Sequence, residues 1–162
     1  MKKEQDTAKI EESVKAMALM VNKLRAEASR FADRANALEA TAPAVLGFAT
    51  ALTTAVNSKE FALAERLQVA HDAGHKVLQS ERVLGENGGL PSAEQVARNV
   101  ARLRRVASAQ AQKASALQAE ANGLVKQAQR QRQRELEQAR RQPNKAIGLK
   151  KMTAVKKGNQ AS

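Results

Sequence analysis

The chain has 162 residues, three phenylalanines, no tyrosine or tryptophan, and no cysteine. This composition excludes disulfides and Cys-ligated zinc, and it argues against a broad globular core, which needs large side chains to fill its volume. The formal net charge is +12, and residues 126–162 hold eleven Lys or Arg against two Glu, a net +9. A near-neutral body with a basic end indicates a polyanionic partner.

The N-terminal stretch "MKKEQDTAKIEES" opens with two lysines, as a signal peptide does. Acidic residues then occupy the place where a signal peptide needs an apolar region, namely Glu4, Asp6, Glu11 and Glu12. The longest apolar run, "AMALMV" at 16–21, is too short to cross a bilayer. We therefore expect a cytoplasmic protein with neither a leader nor a transmembrane segment.

The first element shows a heptad repeat, with apolar residues at alternating steps of four and three. Its members are Ile10, Val14, Met17, Val21, Leu24, Ala28, Phe31, Ala35 and Leu38. This spacing predicts a coiled-coil helix over about 7–41, ended by Pro43, since the residue before a proline avoids helical angles. A narrow seam of this kind also suits pairing with a second chain, so a homo-oligomer through the heptad seam is one expectation.

A second helix is predicted over about 43–84, with Pro43 in its first turn. Its apolar positions are Leu63, Leu67, Ala70, Gly74 and Val77. The sequence "NSKE" at 57–60 has the form of a capping box, which allows a break there. The stretch "GENGGLPS" at 85–92 predicts a loop, because glycine and proline end helices.

The third helix is predicted to begin after Ser92, with Gln95 as its capping-box partner. Its seam continues through Val96, Val100, Leu103, Ala107, Gln110, Ala114, Leu117, Ala121, Leu124 and Ala128. Because Leu124 and Ala128 keep the register, we expect the helix to continue through Asn122-Gly123, with Pro143 as its latest end.

These elements predict an all-α protein, a long antiparallel three-helix coiled-coil bundle with a basic, partly disordered C-terminal extension. The bundle is expected to take in residues 1–125, with helices over about 7–41, 43–84 and 93–125. Residues 126–162 are expected to form a basic helical extension and a flexible tail that project past the bundle.

The basic extension is the candidate site, and it is typical of a surface that neutralises phosphates. We expect DNA or RNA to be held by Arg130, Arg132, Arg134, Arg140, Arg141, Lys145, Lys150, Lys151, Lys156 and Lys157. No aromatic residue follows Phe61, so base stacking is unavailable and binding should be non-specific. A smaller basic band lies at the start of the third helix, at Arg98, Arg102, Arg104 and Arg105.

Other interpretations of this stretch remain open. It could be a solvated helix end, or the basic tail of an assembly or scaffolding protein that docks on an acidic protein surface. The apolar residues Ile147, Leu149, Met152 and Val155 could also dock into a partner groove or attach the protein to a membrane surface.

The sequence shows no convincing catalytic pattern. "HDAGH" at 71–75 places His71 and His75 on one helix face, as in zinc proteases, but Asp72 stands where those enzymes have glutamate and no third ligand follows at a fixed spacing. No glycine-rich phosphate loop is present. We therefore expect a non-enzymatic protein without a metal site or a cofactor.

Overall fold

Three long α-helices make up the described part of the protein, for which we use a computed structural model. They are α1 (Lys2–Asn57), α2 (Phe61–Ser80) and α3 (Ala93–Gly158), with a 3-10 turn, Glu86–Gly88, between α2 and α3. The structure describes the backbone of residues 2–84 and 86–158, and the side chains of residues 6–84 and 87–142. Within those ranges there is no β-strand, and the predicted all-α bundle is confirmed.

The chain forms two compact units. A three-helix unit spans Met20–Ser115 and contains most of α1, all of α2 and the first part of α3. A paired-helix unit combines Met1–Leu19 with Ala116–Ser162, and therefore contains the start of α1 and the rest of α3.

Helix α1 does not end at Pro43, so the predicted boundary there is wrong. A proline inside a helix costs about 3 kcal/mol, because it removes one hydrogen bond and crowds the preceding turn. Leu38 and Val45, on either side of the proline, are both completely buried. Burial of each such side chain contributes roughly 1.5–3 kcal/mol, which offsets the cost of continuing the helix.

The chain turns between α1 and α2 at Ser58–Glu60, which confirms the break that "NSKE" allows. The N–H of Glu60 donates to Ala55 O at 2.9 Å, and that of Lys59 to Val56 O at 3.1 Å. This pair of bonds, with Lys59 at φ 58°, is a Schellman motif. The capping box itself does not form, because Asn57 is the last residue of α1, and Glu60 takes the N-cap position of α2 without a side-chain hydrogen bond.

Helix α2 ends in the same way, four residues before the predicted end at Leu84. Val83 N–H donates to Leu78 O at 3.1 Å and Arg82 N–H to Gln79 O at 3.0 Å, with Arg82 at φ 56°. Leu78 and Val83 are both buried, so the motif carries the apolar contact that usually accompanies it.

The start of α3 confirms the predicted capping box. Gln95 N–H donates to Ser92 Oγ at 3.2 Å, and Ser92 N–H donates to Gln95 Oε1 at 3.0 Å. Helix α3 continues through Asn122-Gly123, as expected. It also passes residue 125 and Pro143 and ends at Gly158, so the predicted end at Pro143 is wrong.

The core of the three-helix unit draws on all three helices and the turn after α2. It consists of Ala35, Leu38, Val45, Leu78, Val83, Val100 and Leu103. Two of the residues predicted for the seam, Leu24 and Phe31, are only half-buried. The ion pair between Glu39 and Arg104, at 2.5 Å, joins α1 to α3 within this unit.

Among the described residues of the paired-helix unit, α1 and α3 lie antiparallel without a third helix. Ala121 and Ala128 of α3 are buried, whereas Ile10 and Val14 of α1 are half-buried. Glu11 of α1 forms an ion pair with Arg132 of α3. Since α1 begins at Lys2 rather than near residue 7, it gives α3 a partner beyond residue 130.

Gly74 marks a close approach of α2 to α1. A Cβ added there would overlap the Cγ2 of Val45, whereas one added at Gly123 of α3 would meet nothing within 4 Å. We expect Gly74→Ala to lower the free energy of unfolding by about 1–3 kcal/mol through overpacking, because the β-branched Val45 is stiff.

The matched control, Gly123→Ala, should raise the free energy of unfolding by up to about 1 kcal/mol through helix propensity. Urea denaturation followed by circular dichroism measures both changes. Equal effects at the two positions would contradict the described packing of α2 on α1.

A bidentate ion pair fastens the end of α2 to α1. Arg34 Nε donates to Glu81 Oε1 at 2.9 Å, and Arg34 Nη2 donates to Glu81 Oε2 at 2.8 Å. The guanidinium also lies over the ring of Phe31, 5.4 Å from its centroid. The hydrogen bonds from Arg34 hold the pKa of Glu81 below its ordinary value, against the opposing effect of burial, and the charges of Arg34 and Arg102 lower it further.

This lowered pKa makes part of the stability depend on pH. The contribution of the Glu81 carboxylate should be present above the pKa of glutamate in the unfolded chain and should be lost as pH falls through the lower folded pKa. We expect Glu81→Gln to cost on the order of 1 kcal/mol at pH 7, and much less in acid, at a pH below the lowered pKa of Glu81. Glu65→Gln, at an exposed residue without an ion pair in the described chain, serves as the control in denaturant titrations at both pH values.

Candidate nucleic-acid interface

The described part of the basic extension is a regular continuation of α3. Its sequence from Lys126 to Gln142 is rich in Gln, Arg and Glu, which favour helix, and every side chain from Gln129 to Gln142 is exposed. The seam positions in this stretch are polar, at Gln131, Glu135 and Gln138, and line a shallow groove with Asp6 and Arg134. The cations therefore begin where the apolar seam ends.

Four of the cations lie on the solvent side of α3. At about 100° per residue, Lys126, Arg130, Arg134 and Arg141 fall within an arc of about 80°. The buried seam residue Ala128 faces about 160° away from the middle of that arc. We call these four cations the outer stripe. Its length is about 22 Å, at 1.5 Å of rise per residue.

The positive charge of the outer stripe is not compensated by ion pairs within the described chain. None of its four side chains forms an ion pair with a carboxylate among residues 6–84 and 87–142. One acid, Glu137, shares this side of the helix, about 20° from Lys126. The outer stripe therefore presents a net positive surface to solvent.

Arg132 differs from the other predicted site residues. It lies on the seam side of α3 and forms an ion pair with Glu11 of α1, so its charge is compensated within the paired-helix unit. Sequence reasoning missed Glu11 as its partner, although Arg132 stands next to the seam position Gln131. Arg140 is exposed, but it lies about 80° from the middle of the outer stripe.

The remaining predicted residues belong to the last part of the chain. The backbone of α3 extends to Gly158. The side chains of Lys145, Lys150, Lys151, Lys156 and Lys157 lie outside the described residues. The same holds for the apolar residues from Ile147 to Val155 that suggested a docking segment.

The smaller basic band at the start of α3 is partly compensated. Arg98 pairs with Glu94 at 2.9 Å, and Arg104 pairs with Glu39 at 2.5 Å and also donates to Asn36 Oδ1 at 3.4 Å. Arg102 and Arg105 make no ion pair with the carboxylates that the structure describes. The band therefore offers fewer available cations than its composition suggests.

The two histidines share a face of α2, with ring centroids 6.1 Å apart. His71 Nδ1 lies 3.5 Å from Asp72 Oδ1, and His75 Nε2 lies 3.2 Å from the carbonyl oxygen of Gly88. His75 therefore contacts the turn that follows α2. In the described residues there is no cluster of three or more side chains of the types that ligate metal.

Among the described residues, no helix has both the length and the apolar character required to cross a bilayer. Comparison with known proteins finds no match to the chain among family models, curated proteins or solved structures. The functional assignment therefore depends on the geometry of the residues.

The ion pair between Glu11 and Arg132 should contribute little to stability, because both side chains are more than half exposed, at 54% and 58%. A double-mutant cycle with Glu11→Gln and Arg132→Gln should give a coupling energy of about 0.2–1 kcal/mol, and added salt should reduce it. Thermal unfolding of the four chains at low and high salt measures this energy. A salt-independent coupling of several kcal/mol would contradict an exposed pair.

Proposed function

We propose that the protein is a non-enzymatic, nucleic-acid-associated accessory protein that binds DNA or RNA phosphates non-specifically. The observation that carries the proposal is the outer stripe, which places four exposed cations within an arc of about 80° on α3, away from the buried Ala128. Arg134, at the edge of that arc, also borders the groove that Asp6 lines. A rigid helix can bring such a row to a phosphate backbone without disturbing the contacts between α1 and α3.

The chemistry of the surface supports phosphate contacts rather than base recognition. Lys and Arg neutralise phosphates and release condensed counterions, which gives affinity without sequence specificity. The chain has no aromatic residue after Phe61 on which a base could stack. The same proposal puts the protein in a compartment that holds nucleic acid, in keeping with the cytoplasmic location expected from the sequence.

The second candidate function is assembly or scaffolding, with the basic extension docked on an acidic protein surface. The side chain of Leu136 favours it, because this apolar residue is 63% exposed among the cations. Together with Arg132 and Ala139 it lines a shallow depression away from the outer stripe. A protein surface can cover such a leucine, whereas a phosphate backbone cannot.

The test replaces cations rather than deleting the extension, because a deletion from residue 126 would also remove the buried Ala128 and the ion-paired Arg132 from the paired-helix unit. In the stripe variant, Lys126, Arg130, Arg134 and Arg141 are all changed to Gln. The control variant removes four exposed cations elsewhere in the same way, at Lys15, Lys23, Arg30 and Lys76. Both variants lose the same net charge, so only the position of the cations differs.

We expect the intact protein to bind random duplex DNA. If about six cations contact phosphates, a plot of log affinity against log salt concentration should have a slope of about −5. The stripe variant should lower the magnitude of that slope by about 3–4, whereas the control variant should retain it. Fluorescence anisotropy with duplex DNA, single-stranded DNA and RNA, at several salt concentrations, measures these slopes.

Two results would contradict the proposal. Equal weakening of both variants would mean that total charge, and not the outer stripe, determines binding. Absence of binding at low salt by the intact protein would exclude nucleic acid as the partner. In that case Leu136→Gln would become the next variant, to be tested against an acidic protein surface.

A further inference from the structure

The last part of α1 carries no charge. Residues 40–58 contain neither an acid nor a base, although charged residues make up 27% of the chain. A helix segment that is uncharged all round is normally covered by other parts of a protein. In this protein, however, one side of the segment is exposed to solvent.

The exposed side is more apolar than its composition suggests. Leu46 is 59% exposed and Val56 is 51% exposed. The hydroxyls of Thr50, Thr53 and Thr54 donate to the carbonyl oxygens four residues earlier, at 3.1, 3.1 and 3.2 Å. The donor of each threonine is therefore used within the helix. We call this surface the tip face, and it comprises Pro43, Leu46, Thr50, Thr53 and Val56.

The end of the tip face at Thr53 and Val56 is open because α3 does not extend far enough to cover it. Arg104 of α3 pairs with Glu39 of α1, and the two helices run in opposite directions. Counting from that pair places the first residue of α3, Ala93, beside about residue 50 of α1. The seven-residue seam of α1 continues beyond this point to Val56, which therefore lacks a partner in α3.

An apolar cleft extends the same surface toward α3. Pro43 and Leu46 line it from α1, and Leu90, Pro91 and Val96 line it from the other side. The cleft has a volume of about 340 Å³. The uncharged tip face continues into this cleft within the three-helix unit, and the one charged residue that lines the cleft, Glu39, is paired with Arg104.

We propose that the tip face binds a second copy of this chain to form a symmetric dimer. The net charge of +12 makes two copies repel one another, and this repulsion is smallest where they meet through a surface that carries no cations. In a twofold interface, the same surface patch of each copy faces its counterpart on the partner. A charged residue at the centre would therefore lie close to another charge of the same sign, so such residues are excluded from the centre. The tip face meets this condition over its whole length.

Other occupants fit the tip face less well. A nucleic acid would find no cation there. A helix that lies on a membrane usually carries Lys or Arg along its polar side and several large apolar residues opposite. The tip face has only two large apolar residues, Leu46 and Val56, and no charge within residues 40–58.

The available area sets the strength of the dimer. The segment of α1 from Pro43 to Asn57 is about 22 Å long. The surface formed by this segment and the cleft beside it is about 20 Å wide, which is the width of two helices side by side. Two copies would therefore bury on the order of 900 Å² in total, below the roughly 1,200–2,000 Å² of stable complexes. The dimer should accordingly be weak, with a dissociation constant in the micromolar range or above.

The experiment compares two double variants by sedimentation velocity from about 10 µM to 1 mM protein, in salt that screens the repulsion. The tip variant carries Leu46→Glu and Thr53→Glu, both on the tip face. The control variant carries Asn22→Glu and Ser29→Glu, which have the same seven-residue spacing on an exposed part of α1. Both variants lower the net charge equally, and circular dichroism checks that both remain helical.

We expect the intact protein and the control variant to dimerise reversibly, and the tip variant to bind itself at least about tenfold more weakly. Because the chain lacks cysteine, single cysteines at Thr50 or Thr53 should also form intermolecular disulfides faster than a single cysteine at Asn22. A monomer at every concentration would overturn the proposal, and so would equal association of the two variants. The proposal would also be overturned, in favour of lipid, if the intact protein and the control variant bound phosphatidylcholine vesicles as monomers and the tip variant did not.

Discussion

The small side chains along the seam of α1 and α3 are the constraint on which the rest of the structure depends. Ala35 of α1 is buried, and so are Ala114, Ala121 and Ala128 of α3, which follow one another at seven-residue spacings. An alanine removes little apolar area from water, at about 25 cal/mol per Å², so pairing of this kind requires long helices with many repeats. Because the seam occupies a narrow side of each helix, most of the circumference remains in solvent. Cations can therefore lie on the exposed side of α3 without the free-energy cost of burying a charge.

Local signals in the sequence were enough to predict the class of the fold and several of its boundaries. The heptad spacing, the Ser92–Gln95 capping box and the register across Asn122-Gly123 all act within a few residues. The predicted helix end at Pro43 was wrong because the burial of Leu38 and Val45 offsets the local penalty. The ends of α1 and α2 were hard to place because Lys59 and Arg82 take the left-handed conformation, a role that the sequence usually signals with glycine.

The candidate site was predictable in composition but not in arrangement. The sequence located the basic stretch, and helical periodicity can sort its cations by side, but only the structure shows which side is buried. The sequence alone did not predict ion pairs between residues that are far apart in the chain. Arg132 pairs with Glu11, 121 residues away, and Arg104 pairs with Glu39, 65 residues away. These contacts separate the cations that stabilise helix pairing from those of the outer stripe. The tip face was missed because it depends on where α3 begins relative to α1.

The distribution of charge links the two proposals. Copies that meet through an uncharged face still repel one another through the rest of a +12 chain. A polyanion bound along the outer stripe neutralises part of that charge, so binding should favour pairing at the tip face, and linkage requires pairing to raise the affinity for the polyanion equally. Salt acts on the two events in opposite directions, since it weakens phosphate contacts and screens repulsion between copies. The coupling between binding and pairing should therefore be largest at low salt, where the protein alone associates least.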